Sequence, residues 1–186
     1  MSDLMIDIET MGTGHNAAMI QLAGVFFDRA TGQLGEEFCE NISLESCLAE
    51  GFEKDASTEQ WWSEQNPDVL AQITKNPLPA RDAIGLYSDF VGRGKGLSVW
   101  SHATFDFVIV QNYLKAFGAR TMPYRGARDI RTLVDLSGID LDQYDWKSGK
   151  THNALDDCKF QITYCVDAMR AIHSGCRGCC QQLRST

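Results

Sequence analysis

No stretch of the chain approaches the roughly 20 consecutive apolar residues that a membrane-spanning helix requires. The opening MSDLMIDIETMG has acids at positions 3, 7 and 9 and no basic lead, which is not the pattern of a secretory signal. These two absences predict a cytoplasmic protein without membrane contact. Basic residues are also scarce, with Lys+Arg 17 against Asp+Glu 25 and a formal net charge of −8 among 186 residues. A broad basic surface that grips duplex nucleic acid is therefore excluded. An anionic substrate would need local help, and clustered carboxylates holding Mg²⁺ or Mn²⁺ are a natural source of it. The chain has no internal repeat, no low-complexity run and no linker, so its length reads as one domain. Hydrophobic residues at 44% and charged residues at 23% exclude collagen-like, coiled-coil and wholly disordered chains.

Seven cysteines, an odd number with no secretory lead, argue for reduced thiols and against a disulfide framework. Cys158 and Cys165 stand seven apart in a helical pattern and read as small core residues. Cys176, Cys179 and Cys180 form a C-x-x-C-C cluster for which no fourth zinc ligand is evident, so residues 174–186 read as a polar tail beyond a single globular unit at 1–173.

Along the chain, 4–9 alternates as a short strand, 19–28 is an apolar β-rich run, and 34–42 is a second extended stretch after Ala30-Thr31-Gly32, giving three strands of which the last two form a hairpin. Helices are predicted from Ser57 through the paired Trp61-Trp62, from Asn66-Pro67 to Ile73, and over 80–91, 104–117, 130–137 and 153–172. A short buried strand, LSVWS, lies at 97–101. Strands followed by helices that alternate with at least one further strand predict an α/β fold with a mixed sheet flanked by helices.

Three places carry chemistry. Asp7 and Glu9 project from one face of the first strand while Ile6 and Ile8 enter the opposite layer, because side chains alternate with period two. Two carboxylates on one face repel unless cations or protons sit between them. Asp106 follows a strand and opens a helix, a position equally suited to a helix-dipole partner. His152 precedes the long last helix, which carries Asp157, while Asp156 points about 100° away around that helix and reads as solvated. Gly149-Lys150-Thr151 looks like the end of a P-loop, but Tyr144 occupies the position that needs a glycine, so an ATPase is excluded.

In this order, D-x-E, F-D and H-x-A-x-x-D resemble the DnaQ-like (DEDDh) 3′→5′ exonucleases of the RNase H-like superfamily. Further segments, DIETMGTG at 7–14, the paired Trp, TFDF at 104–107 and RDIRT at 128–132, look like the phage DexA-type exonucleases. The resemblance covers most of residues 1–172. It implies an RNase H-like single domain, with Asp7, Glu9, Asp106 and Asp157 as ligands of two Mg²⁺ or Mn²⁺ and His152 as the general base that deprotonates the attacking water. Four carboxylates and two divalent cations balance at −4 against +4, and two metals about 3.5–4 Å apart serve in-line phosphodiester hydrolysis. The implied substrate is single-stranded nucleic acid with a free 3′ end, released as nucleoside 5′-monophosphates. DNA stands ahead of RNA, and an exoribonuclease on the same site is the alternative. A non-catalytic nucleic-acid-binding module is the reading of another class, disfavoured because all five catalytic positions hold competent residues.

Substrate contacts are expected from Thr10 and Met11 beside the terminal nucleotide, from Phe105 as a stacking or wedging ring, and from Trp61. Adjacent helical residues diverge by about 100°, so at most one of Trp61 and Trp62 faces the groove. Many relatives of this kind have Asn four residues before the second-motif Asp. This chain has His102, which alters the substrate contact and leaves the metal site intact. Arg128 and Arg131, three apart, read either as phosphate contacts on one helical face or as surface ion pairs, with Asp129 orienting one of them or Lys150. The sequence is compatible with a homodimer.

Overall fold

Strand β1 (Asp3–Thr10) runs through the middle of a five-stranded sheet ordered β3-β2-β1-β4-β5. The computed structural model describes residues 1–94, 96–144 and 152–182, with side chains through Ser174. β2 (Met19–Phe27) and β3 (Leu34–Asn41) form the predicted hairpin and extend the sheet antiparallel on one side of β1. Asp28 fixes the hairpin turn, its Oδ1 accepting from the backbone N–H groups of Ala30 and Thr31, and Gly32 supplies the left-handed residue at φ 81°. On the other side β4 (Ser98–Ser101) and β5 (Ala127–Asp129) pair parallel, which makes the sheet mixed as expected.

Seven α-helices surround the sheet among the described residues: α1 (Leu44–Ala49), α2 (Ala56–Glu64), α3 (Pro67–Ile73), α4 (Ala80–Gly92), α5 (Asp106–Ala116), α6 (Ile130–Ser137) and α7 (Ala154–Gln182). Most lie where the sequence puts them. α5 starts two residues later than predicted because the chain first closes a turn, with the Phe105 N–H donating to the His102 carbonyl at 2.8 Å. α7 continues ten residues past the predicted end at Ile172. The α1 helix and the three-residue β5 are absent from the sequence reading.

The period-two alternation of β1 divides the interior into two layers. Leu4, Ile6 and Ile8 pack into the cluster built with α4 and α5, whereas Met5 packs with Cys158, Ile162 and Cys165 of α7. Asp7 and Glu9 share the face of Met5 and therefore look toward α7. Tyr113 of α5 locks the chain after β1: it is fully buried, stacks on Phe52 at 3.6 Å, and its hydroxyl accepts from the Met19 N–H at 2.9 Å. An aromatic buried in this way contributes about 1.5–3 kcal/mol. Cys158 and Cys165 are free, buried core thiols, as their spacing implied. Among the described residues no helix is long and apolar enough to cross a membrane.

Candidate active site

Three elements bring four carboxylates to the carboxyl end of β1. Asp7 and Glu9 come from β1, opposite Ala23 and Gln21 of β2. Asp106 is the first residue of α5, and its Oδ2 accepts from the backbone N–H of His102 at 2.8 Å, so the turn after β4 aims it inward. Asp157 lies in the first turn of α7. The start of that helix is pinned by Gln21, whose Oε1 accepts from the Ala154 N–H at 2.7 Å, and capped by Asn153, whose Oδ1 accepts from Leu155 and Asp156. Because Gln21 pairs across from Glu9, one side chain sets the distance between the first strand and the last helix. The four acids line a single cavity of about 440 Å³, and His152, His102 and Phe105 line it too.

The charges in this cavity are under strain. Burial, and then the charges of Asp106, Glu9 and Asp157, hold the Asp7 carboxyl well above its ordinary range, opposed by a 2.7 Å hydrogen bond from Gln161 Nε2. Burial and then Asp157 and Asp106 push Glu9 up to about 8. Burial pushes Asp106 up to about 7 against the stabilising His102 N–H and Arg131, and Asp157 likewise up to about 7 with Asp156 adding to it. Each shift has burial as its leading cause and, for Asp7 and Glu9, mutual repulsion next. A divalent cation removes both penalties at once.

The donor set fits a hard cation. Ligand atoms of Asp7, Glu9 and Asp157 lie within 4.8 Å of one another, and so do those of Asp7, His102 and Asp106. The two groups share Asp7, and each offers donors suited to a divalent cation. His102 belongs to the second group, which its sequence position did not suggest. Its ring is held neutral, down to about 4, by burial and by Arg131, and its Nδ1 lies 3.7 Å from Asp106 Oδ2. At neutral pH this is a polar contact and not an ion pair.

His152 adopts a left-handed backbone, φ 43°, just before the Asn153 cap. Its ring stands edge-on to Trp61 at 4.9 Å and to Trp62 at 6.1 Å. The paired tryptophans divide as the helical geometry requires. Trp62 is buried, its indole N–H donating to the Thr10 carbonyl at 2.9 Å, while Trp61 is 40% exposed. Trp61, Thr10 and Phe105 line an adjoining cavity of about 370 Å³. Met11 does not reach it as expected: its side chain is 8% exposed and packs with Ile20, Trp62 and Ile73, so it serves the core and not a base. The Thr10 hydroxyl is likewise turned inward, donating to the Gly12 carbonyl at 2.7 Å.

Other expectations are corrected. Arg128 belongs to β5 and Arg131 to α6, so they share no helical face, and the Arg128 Nη1 is spent on the carbonyls of Arg125 and Ala127. Asp129 orients neither arginine: it caps α6 through the Thr132 N–H and hydroxyl and accepts from the Ala103 N–H. Asp156 is exposed, as expected. Gly149, Lys150 and Thr151 lie outside the described residues, as do the side chains of Cys176, Cys179 and Cys180. Gln21 and Gln161 are the site residues that sequence reasoning missed. Gln161 stands four residues after Asp157, hence on the same helical face, and that spacing was the available signal.

Residues 2–169 match the family described as 3′–5′ exoribonuclease Rv2179c-like domain. The chain is 25% identical to an exodeoxyribonuclease of Enterobacteria phage T4, over 91% of this chain and 90% of that one. In structure it is similar to an exonuclease I from Methylocaldum szegediense, with TM-score 0.62, 17% identity and 90% of this chain covered. It is also similar to an exonuclease X solved with 5′-overhanging duplex DNA, with TM-score 0.56 and 16% identity over 90% of this chain and 91% of that one. The chain spans about two fifths of the length of the exonuclease I chains it matches, 39% and 40%. These structural likenesses establish the shared RNase H-like fold.

Proposed function

The chain belongs to the family of 3′–5′ exoribonuclease Rv2179c-like domains, within the DnaQ-like 3′→5′ exonucleases, and from that premise we propose that it removes nucleotides from the free 3′ end of single-stranded DNA as nucleoside 5′-monophosphates. The observation that carries the reading is the convergence of Asp7, Glu9, Asp106 and Asp157 on one cavity that His152 also lines. The four carboxylates would hold two Mg²⁺ or Mn²⁺. When bound, the cations supply charge neutralisation for the attacking and leaving oxygens.

His152 takes the proton of the attacking water. Its imidazole suits that role because an ordinary pKa of about 6.5 lies close to working pH. Trp61, edge-on to the ring, positions it. The water oxygen bonds to phosphorus and the P–O3′ bond opposite it breaks. The shortened strand leaves with the 3′-oxygen, which takes up a proton from solvent, and the phosphate remains on the released nucleotide. The terminal nucleoside occupies the cavity beside α2, where the exposed face of Trp61 and the ring of Phe105 offer stacking. His102, neutral and beside Asp106, contacts the strand where relatives of this kind have Asn. The catalytic unit spans residues 1–173, with 174–186 outside it.

The preference for DNA rests on the phage T4 exodeoxyribonuclease, similar along nearly its whole length. The description of the matched family favours the second reading, an exoribonuclease with the same site. Incubation with 5′- and 3′-labelled DNA and RNA strands of one sequence, with Mg²⁺ or Mn²⁺, separates them. The expected result is early release of labelled mononucleotide from the 3′-labelled strand and a ladder shrinking from the 3′ end of the 5′-labelled strand, faster for DNA. Faster shortening of RNA overturns the sugar preference, and internal cuts or a start at the 5′ end overturn the exonuclease reading.

A further inference from the structure

Three cavities form a row at the carboxyl end of the parallel strands. The Trp61 cavity and the carboxylate cavity share Ile8, Glu9 and Phe105. The carboxylate cavity in turn shares His102, Arg131 and Tyr164 with a third, of about 640 Å³, which lies against α6 and the turn at 138–141. If the terminal nucleoside fills the first and the scissile phosphate the second, the third is where the strand continues.

The lining of the third cavity suits a nucleoside. Ile130, Val134 and Ile139 give it an apolar wall. Its two carboxylates repel phosphate, and they differ in what they can do. Asp140 is committed to the Asp142 N–H and the Gln143 amide, while Asp135 stands exposed and can accept from a sugar hydroxyl or a base amino group. The phosphate must then be met elsewhere, and Arg131 is placed for it. Among the described residues Arg131 is the one Arg or Lys that lines either the second or the third cavity. It has no hydrogen-bond or ion-pair partner there, whereas Arg128 is held by two backbone carbonyls and Arg170 by Asp167 and the Ala30 and Thr31 carbonyls.

We propose that the third cavity is the subsite for the nucleoside on the 5′ side of the scissile bond, and that Arg131 holds the 5′-phosphate of that nucleoside. The inference rests on the exonuclease reading above and assigns the direction in which the strand crosses the site, from α2 at the 3′ end toward α6. A guanidinium at this place gives a chain of net charge −8 a local grip on an anionic strand.

The test compares two dinucleotides that differ only in a 5′-phosphate, with a long 5′-labelled strand as control, for the wild type, Arg131→Ala and Arg131→Lys. The wild type should cleave the 5′-phosphorylated dinucleotide with a kcat/KM about tenfold higher, the worth of one charge-assisted contact, and mainly through KM. Arg131→Ala should bring the two substrates to within about twofold of each other, and Arg131→Lys should restore part of the preference because it keeps the charge. Removing the guanidinium also removes a positive charge near Asp106, but that loss is common to both dinucleotides and cancels in the ratio. A wild type that shortens the long strand yet treats the dinucleotides alike overturns the proposal, as does an Arg131→Ala enzyme that keeps the preference. A wild type that fails to shorten the long strand sinks the exonuclease reading itself.

Discussion

The side-chain amide of Gln161 donates to Asp7 Oδ1 at 2.7 Å while its own Oε1 is buried without a hydrogen-bond partner among the described residues. A buried amide left half satisfied is costly, and here the satisfied half favours the ionised form of the most crowded carboxylate in the site. Gln161→Leu should weaken Mn²⁺ binding and lower activity by about 10–100-fold, the usual cost of losing a group that supports a ligand. It should also move the acid limb of the pH–rate profile to higher pH. An unchanged limb with unchanged Mn²⁺ affinity would mean that Gln161 only packs.

The raised carboxylates make stability depend on pH with a defined sign. A carboxylate whose folded pKa exceeds its unfolded value binds more protons when folded, so its contribution is complete below about pH 4 and is lost as pH rises through the folded value. Glu9 up to about 8, with Asp106 and Asp157 up to about 7, place that loss between about pH 4 and 8. Cation-free protein should therefore melt lower at pH 8 than at pH 5.5. Millimolar Mn²⁺ should raise the melting temperature more at pH 8, and Glu9→Gln should flatten the cation-free dependence. Melting curves at the two pH values decide it; equal Mn²⁺ effects at both would count against a shared carboxylate site.

Much of this arrangement was legible in the sequence, for reasons that differ from residue to residue. Asp7 and Glu9 fall on one face because a strand has period two, and the structure keeps Ile6 and Ile8 in the opposite layer. The split between Trp61 and Trp62 followed from helical geometry, although which one would be buried did not. The six residues of α1 span too few turns for a periodic signal, and β5 is the three residues Ala127–Asp129, with no alternation to read. Met11 follows the D-x-E motif in sequence, but the β1 register shifts at Glu9/Thr10 and Met11 is drawn under Trp62, a tertiary effect that no local pattern carries. Gln21 and Gln161 act through partners more than a hundred residues distant, Ala154 and Asp7, so the folded chain alone shows those contacts, although the spacing of four from Asp157 already puts Gln161 on the same helical face.

His152 and the carboxylates should separate in experiment. With His152 in the proposed role of base to the attacking water, His152→Ala should cut turnover by about 10²–10⁴-fold while leaving Mn²⁺ affinity and strand binding nearly unchanged. At saturating cation the wild-type rate should rise with pH through a group near neutrality, and the variant should lack that limb. Wild-type turnover in the variant, or loss of Mn²⁺ binding with activity, would remove His152 from this role.

The two tryptophans should also part. Trp62→Ala should destabilise the fold by about 3–5 kcal/mol, the cost of emptying a buried aromatic site, since Trp62 is 3% exposed and satisfies the Thr10 carbonyl. Trp61→Ala should leave thermal stability within about 0.5 kcal/mol, as an exposed substitution does. It should nevertheless lower kcat and raise KM, because the ring stands edge-on to His152 and walls the cavity proposed for the terminal nucleoside. Equal destabilisation by both substitutions would contradict this division.

In the proposed reaction the four carboxylates act on a phosphodiester only with divalent cations in their midst, and nucleotide release from a 3′-labelled single strand, followed as Mg²⁺ is returned to EDTA-stripped enzyme, reads this out. No release is expected before the cation is added, with saturable recovery of nucleoside 5′-monophosphate on its return and no recovery for Asp7→Ala or Asp106→Ala. Undiminished release in EDTA, or full recovery by either variant, would contradict it.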